Sequence, residues 1–550
     1  MASLAEVIAV PLGRPRIEVG APPRQLAGRL VTPVLLVLLP LCFFLAFFEP
    51  ATLRIDNVGW LLQGTDNGEN ALGAHAYWHD RAAGASLNNS LLNAPEGVPV
   101  LYTDSNPLLT LAAKPFAALL PADAQLVGPF VLLSLVLQAI CAWLLLRRRA
   151  PGPIALWAGV ALLAFPPTLA HRFLHANLMA HWTILAALFV FLDERRSRQL
   201  QWWAPLIAIT ALIHSYLLIM VGAIWASAML ARFTAGDRRE RLATLGHGAV
   251  IGGTVGVLAW WMGIGGQKTT ATFGDFRMPI DALWNPIIRS YRTLLPGHGF
   301  EATEWYEGFQ YLGAGGLLLV IGAACVALRI PPRDGERADT RRLRQLGPAL
   351  IVLTILAVAR LPLPAFAMAL LDPIRASGRM FWPVGYVLIL VSTLALYRLP
   401  SRHAAAALVA LVALQVVDLT GMASTVRAYS ARAANPQPYD RTLDPRWDAL
   451  IRRSRSVSFM PAEVTRDLDL FQEVAWRAAD AGVPVGNVYA ARVSRVSAQR
   501  YRAERAAYAL GELAPGRLYV LLPGTAPPPG AAANVLTLDG VTVIAPFPQR

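Results

Sequence analysis

The chain has 550 residues, 55% of them hydrophobic and 15% charged, with a mean hydropathy of +0.45, whereas an ordinary soluble domain is about 25% charged. This excludes a soluble globular enzyme and makes a bilayer the expected solvent. The formal net charge of +14 does not indicate a nucleic-acid partner, because the basic residues fall between apolar runs instead of forming one face.

About 20 apolar residues cross a hydrocarbon core roughly 30 Å thick. The first such run is 30–48, preceded by Arg14, Arg16, Arg24 and Arg29. It starts too late for a cleaved signal peptide, so it is expected to be an uncleaved span with residues 1–29 in the cytoplasm. Further runs lie near 125–146, 152–170, 176–192, 202–231, 245–264, 308–329, 345–361, 381–397 and 403–419. Arginines cluster at 147–149, 195–198, 238–241, 329–344 and 398–402, and the positive-inside rule puts all of them in the cytoplasm. Both flanks of the 202–231 run are then cytoplasmic, so it must cross twice, as two short helices meeting near His214–Ser215–Tyr216. The expected fold is mainly α, a polytopic bundle of about eleven spans in the bacterial inner membrane.

Three long outer loops result, at 50–106, 265–307 and 361–380, with Pro107–Leu120 as an interfacial or re-entrant helix. The membrane part is assigned to 30–420 and a linker to 421–438, where Ala431–Pro438 has the loop-like composition. Residues 439–550 read as a small extracytoplasmic α/β domain, with helices at 447–455, 467–481 and 500–513 and strands at 456–460, 485–490, 518–522, 535–538 and 541–545. Cys42, Cys141 and Cys325 sit far apart in apolar stretches and suggest neither a disulfide framework nor a zinc site.

The outer loops carry the candidate chemistry. Asp56, a few residues past the first span, is the first choice for a general base, against an ordinary solvated carboxylate or helix cap. Asp104 in Tyr102–Thr103–Asp104–Ser105–Asn106–Pro107 is a second acid, although Asp104 or Ser105 could simply cap the helix that follows. Asp66, Glu69 and Asp80 share this loop, so two carboxylates could meet on a divalent ion. His171, Arg172 and His175, with His181 beyond, form a polar outer cluster, and Arg172 is its leading member. His214 is the imidazole placed deepest in the membrane, as a functional group or as a hydrogen bonder holding the bend. The loop with Lys268, Glu304, Glu307 and Tyr311 sets rings beside carboxylates, which suits sugars but also suits an interfacial aromatic belt. Arg375 and Arg379, four residues apart and just before a span, could present two guanidinium groups to a phosphate, with snorkelling beside Trp382 as the alternative.

Several of these segments act together as a signature: an acid soon after the first span, Tyr102–Pro107 leading into Lys114–Pro115, Glu307–Gly313, and Arg375–Pro383. Across about 30–420 the chain resembles a group of bacterial membrane proteins similar to the GT-C superfamily of polyprenyl-phosphate-sugar-dependent glycosyltransferases. The resemblance implies inverting transfer on the outer side from a polyprenyl-phosphate sugar to a glycan, lipid or protein acceptor. Asp56 would be the base, and Asp104 remains the second catalytic candidate. Arg172, Arg375, Arg379 and Lys268 would hold the donor phosphate, and His171, His175, His214, Glu304, Glu307 and Tyr311 would line the acceptor side. A Mg or Mn ion, if one is used, would sit on Asp56 and Asp104. Asp56 is followed by Asn57, so the paired acids of many such enzymes are missing at this point. A lipid or glycan transporter and a non-catalytic envelope-glycan assembly protein are the competing readings.

Overall fold

The computed structural model describes residues 23–82, 86–265, 273–298, 306–332, 334–358, 364, 371 and 374–545. It is mainly helical, with a small sheet in the C-terminal region. The first long helix, Pro23–Phe47, packs against Val127–Leu146, which in turn contacts Pro153–Ala164 and Trp182–Leu192. A second group is formed by Gly313–Arg329 with Trp382–Leu396 and Ser401–Asp418, and Ser215–Ala235 joins Trp182–Leu192 to Asp334–Val358.

Among the described residues, five helices are long and apolar enough to cross a membrane, or six if the pair Pro153–Ala164 and Pro167–Leu174, bent by 42°, is one span. This falls short of the expected eleven. The apolar runs at 176–192 and 308–329 yield helices of 10–17 residues, while the helix containing 345–358 begins in a charged segment at Asp334. The 202–231 run does break at His214, whose backbone is extended, and its two helices pack together. They are unequal, however: Leu200–Ile213 has 14 residues and Ser215–Ala235 has 21, a full-length span where a short one was expected. Large apolar side chains face outward on several helices, including Val257, Trp260, Leu328, Ile351 and Val416, as expected of surfaces that meet hydrocarbon. All three cysteines are free.

The first outer loop is folded. Asp66–His79 forms a helix buried over most of its length, and Lys114 donates from Nζ to the carbonyls of Tyr77, Trp78 and Asp80 at its C-terminal end, where a cation complements the helix dipole. Pro107–Ala113 is a short helix continued by a 3-10 turn through Leu119, in place of one helix to Leu120. Asn106 caps it, its side chain accepting from the Leu109 amide, so neither Asp104 nor Ser105 does.

In the C-terminal region the sheet order is Ser456–Met460, Arg517–Leu521, Val541–Ile544, Val535–Leu538, with the first pair parallel and the others antiparallel. The expected strand at 485–490 is absent as a strand; only Val485 pairs, in isolated bridges to Val457 on one side and Leu92 of the first loop on the other. The helices are Arg446–Arg453, Leu468–Asp480 and Arg495–Ala509. The expected linker is ordered as well: Thr420–Ser430 is a helix, Ala431–Ala434 a 3-10 turn, and the Ala433 carbonyl accepts from Asn57 Nδ2 at 2.9 Å. A Cβ on Gly59 would collide with the Gln437 carbonyl, so this stretch is packed against the first loop and does not work as a flexible tether.

Candidate functional site

Three chain segments meet at one end of the bundle, and small residues and amides fix their registry. Gly73 lies where a Cβ would strike Thr103 and Ser105, which lets the 100–106 turn lie directly on the Asp66–His79 helix. Ser105 Oγ donates to the Asn70 carbonyl at 2.8 Å. Asn67 reaches the third segment, donating to the Phe173 carbonyl at 2.7 Å and accepting from the Ala176 amide at 2.9 Å. Asn177 closes the triangle with a 2.7 Å bond to the Asp104 carbonyl.

This framework brings Asp66, Asp104 and His175 together, with one ligand atom of each within 4.8 Å of the others. His175 Nε2 lies 3.0 Å from Asp66 Oδ2, and Tyr489 of the C-terminal region donates to Asp66 Oδ1 at 3.2 Å. Asp104 is held at φ +51°, left-handed backbone that costs a non-glycine residue energy and is least unfavourable for Asp or Asn. Burial and then the charge of Asp66, opposed by Arg379 and Arg375, push its carboxyl up to about 8. Glu69 lies one helical turn beyond Asp66 and is almost completely buried, with no hydrogen bond to either carboxylate oxygen among the described residues. Burial first, then Asp104 and Asp66, hold it well above the usual carboxylate range, which favours its neutral form.

Beside the acids is a buried charge knot. Glu307 accepts from Arg172 Nη1 at 2.6 Å and from Arg379 Nε and Nη2 at 2.6 Å each. Burial alone would raise the Glu307 carboxyl, but Arg379 and Arg172 outweigh it and hold it well below its ordinary range. His175 Nε2 stands 3.8 Å from Glu307 Oε1 and so links the knot to the acids. The knot forms because Gly308 and Gly378 touch: a Cβ on Gly378 would lie 2.8 Å from Gly308 Cα, and Gln310 donates to the Gly378 carbonyl at 2.8 Å. Arg375 is exposed beside this knot, its guanidinium 5.3 Å from the Phe276 ring centre.

The sequence candidates are therefore split. Asp104, Arg172, His175, Arg375, Arg379 and Glu307 converge. Asp56 does not: its side chain is about half exposed and is paired with Arg54, and its charge bears on Asp123. Asp66, and not Asp56, lies beside Asp104, with His175. His171 is buried in packing, bonded to the Tyr291 hydroxyl at 2.7 Å and the Tyr306 carbonyl at 2.8 Å, where it supports the residue before Glu307. His214 caps the Ser215–Ala235 helix by accepting from the Tyr216 amide at 3.1 Å, and the Tyr216 hydroxyl accepts from the Ala376 amide at 2.8 Å. Tyr311 donates to Asp418 at 2.9 Å and acts as a strut between helices. Lys268 and Glu304 lie outside the described residues. Sequence reasoning missed Tyr489, which no pattern ties to a segment more than 400 positions away, and it named Asp66 and Glu69 only, with Asp80, as carboxylates of which two could meet on an ion. Their i, i+3 spacing on a helix start was the available signal.

Carboxylate oxygens and an imidazole nitrogen suit Mn or Zn, and Mg with more water. The close approach of one ligand atom each from Asp66, Asp104 and His175 fits such an ion.

The model described as "Domain of unknown function (DUF6311)" matches residues 37–420, and the one described as "DUF6311 C-terminal domain" matches residues 446–546. No curated protein matches the sequence. The two matches divide the chain where the helical bundle gives way to the small sheet, and together with its extent the first places this chain in the DUF6311 family.

Proposed function

We propose that this protein is a multi-pass inner-membrane glycosyltransferase that moves a sugar from a polyprenyl-phosphate donor to a glycan, lipid or protein acceptor on the extracytoplasmic side. One observation carries the reading: Asp66, Asp104 and His175 meet beside a buried Arg172–Glu307–Arg379 knot and the exposed Arg375, at one end of a bundle whose outer surface is apolar.

Each group has a role in such a transfer. Asp104, with its carboxyl near 8, is matched to general-base work close to neutral pH. It would take the proton of the acceptor hydroxyl as that oxygen attacks the anomeric carbon and the donor phosphate leaves from the opposite face. Arg375 is placed to meet the departing phosphate, since guanidinium groups bind phosphate oxygens in pairs. Arg172 and Arg379 share one carboxylate, so the knot keeps a surplus positive charge toward the same side. A divalent cation held by Asp66 and His175 beside Asp104 would supply electrostatic stabilisation of the leaving phosphate. Tyr489 reaches Asp66 from the C-terminal region, which on this reading would help to hold the acceptor.

The test is transfer of radiolabelled sugar from polyprenyl-phosphate donors by the reconstituted protein. Asp104→Asn should lower the rate by about 10²-fold or more, while Asp56→Asn should leave it within a few-fold of the parent. Full activity in Asp104→Asn, with the protein still folded, overturns the assignment.

A further inference from the structure

The helices that frame the acid cluster carry a second charged region at their other ends. Trp182–Leu192 begins a few residues after His175 and ends at Asp193, and Trp382–Leu396 begins just after Arg379 and ends short of Arg398. At 1.5 Å per residue the 15-residue helix is about 22 Å long, so the two regions lie on opposite sides of an apolar layer. Between these ends, the end of Val127–Leu146, and the helices Gly313–Arg329 and Asp334–Val358 lies a cavity of about 820 Å³, within the range of small-molecule sites.

The lining is divided by chemistry. Leu144, Phe189, Ala324, Leu388 and Val391 form an apolar wall, and Val391 is also exposed on the bundle surface. Arg147, Arg148, Arg149, Arg196 and Arg398 form a cationic rim, against three acids, Asp193, Glu336 and Asp339. Those acids are already engaged: Asp339 holds Arg149 at 2.6 and 2.7 Å, Glu336 holds Arg398 at 2.7 Å, and Asp193 lies 3.4 Å from Arg196. Among the described residues Arg147 and Arg148 have no carboxylate partner, and Arg147 lies 4.4 Å from the centre of the Trp143 ring. Burial, then the charges of Arg148 and Arg196, press its guanidinium below the usual range. Arg147 is half-buried and Arg148 exposed, so two guanidinium groups without a carboxylate stand at the mouth of an apolar slot, and such basic pockets between spans suit anionic lipid headgroups.

We propose that this cavity binds one anionic phospholipid from the leaflet opposite the acid cluster, with its phosphate on Arg147 and Arg148 and an acyl chain along the Leu144–Phe189–Leu388 wall. Free phosphate offers the same headgroup chemistry but nothing for the wall. The inference rests on the bundle lying in a membrane and is independent of the transfer chemistry.

The test is native mass spectrometry of the full-length protein titrated with phosphatidylglycerol, phosphatidylcholine or inorganic phosphate. One phosphatidylglycerol should stay bound, with at least tenfold preference over phosphatidylcholine and no displacement by equimolar inorganic phosphate. Arg147→Gln/Arg148→Gln should cut retention at least tenfold. Ala324→Trp fills the wall without altering charge and should cut it too, with helical content unchanged in both variants. Asp104→Asn should retain the lipid like the parent, so a failed transfer assignment and a failed lipid site remain distinguishable. Equal retention of the two lipids, displacement by phosphate alone, or parent-like retention in a folded Ala324→Trp protein overturns the proposal.

Discussion

Glu307 has an influence on the site beyond its single charge, because two almost fully buried guanidinium groups bond to it. Removing one partner of a buried ionic group leaves the other uncompensated, at a cost of about 3–5 kcal/mol. Glu307→Gln should therefore lower the melting temperature clearly in detergent and abolish transfer; a variant that melts like the parent would contradict the knot. Glu69 and Asp104 work in the opposite sense. Their folded carboxyls are raised, Asp104 to about 8, while in the unfolded chain Asp and Glu release their protons near pH 4. Between about pH 4 and 8 the unfolded state therefore binds fewer protons than the folded state, so stability falls as pH rises through that window. Glu69→Gln removes one of these groups at constant shape. Its melting temperature should exceed that of the parent at pH 8 and match it near pH 4, which thermal scans at the two pH values will check. Asp56 shows why residue type alone misleads: an acid near a span end is a reasonable base, but Arg54 two positions away already satisfies it in solvent.

At the scale of elements, the two segments most distinctive in the sequence, Glu307–Gly313 and Arg375–Pro383, touch each other through their glycines. In Gly378→Ala the new methyl would lie 2.8 Å from Gly308 Cα and 2.9 Å from the Met278 nitrogen, backbone atoms that can give only by moving Glu307 and Arg379 apart. Overpacking of this kind costs about 1–3 kcal/mol, and transfer should fall with it. Gly385→Ala is the internal control: nothing lies within 4 Å of its Cβ position, and alanine is favoured over glycine in a helix interior by up to about 1 kcal/mol. Melting curves of the two variants should therefore move in opposite directions. The same contact explains why these segments could be picked out but not joined in the sequence, since some 70 positions separate Gly308 from Gly378 and no periodicity records their meeting.

At the scale of the whole molecule, the C-terminal region is part of the site's architecture. Gln472 bonds the Gly64 amide at 3.0 Å and the Thr65 carbonyl at 2.9 Å, Arg500 pairs with Glu96 at 2.8 Å, and the Val485 amide reaches the Leu91 carbonyl at 2.8 Å. All these partners lie in the first outer loop, on either side of the helix that bears Asp66 and Glu69. A chain ending before Arg446 should leave that loop open, and limited proteolysis should then cut within residues 50–106, which the full-length protein protects. Equal protection in both forms would mean that the loop holds its own fold.

Apolar runs and arginine clusters determined the helical, membrane-compatible class, the change of character after residue 420 and the segments that carry the unusual acids and arginines, because hydropathy and charge act locally along the chain. The break at His214 was legible for the same reason. Only the tertiary structure decided which acid is buried among other charges, since burial and neighbouring charge, and not position after a span, lift Asp104 and leave Asp56 in solvent. It likewise reduced the helices long enough to cross a membrane to five or six, turned the linker into a packed strut, and gave His171, His214 and Tyr311 structural partners. Each of those outcomes depends on contacts between residues far apart in the chain, where the geometry of the backbone path sets the distance and local composition does not.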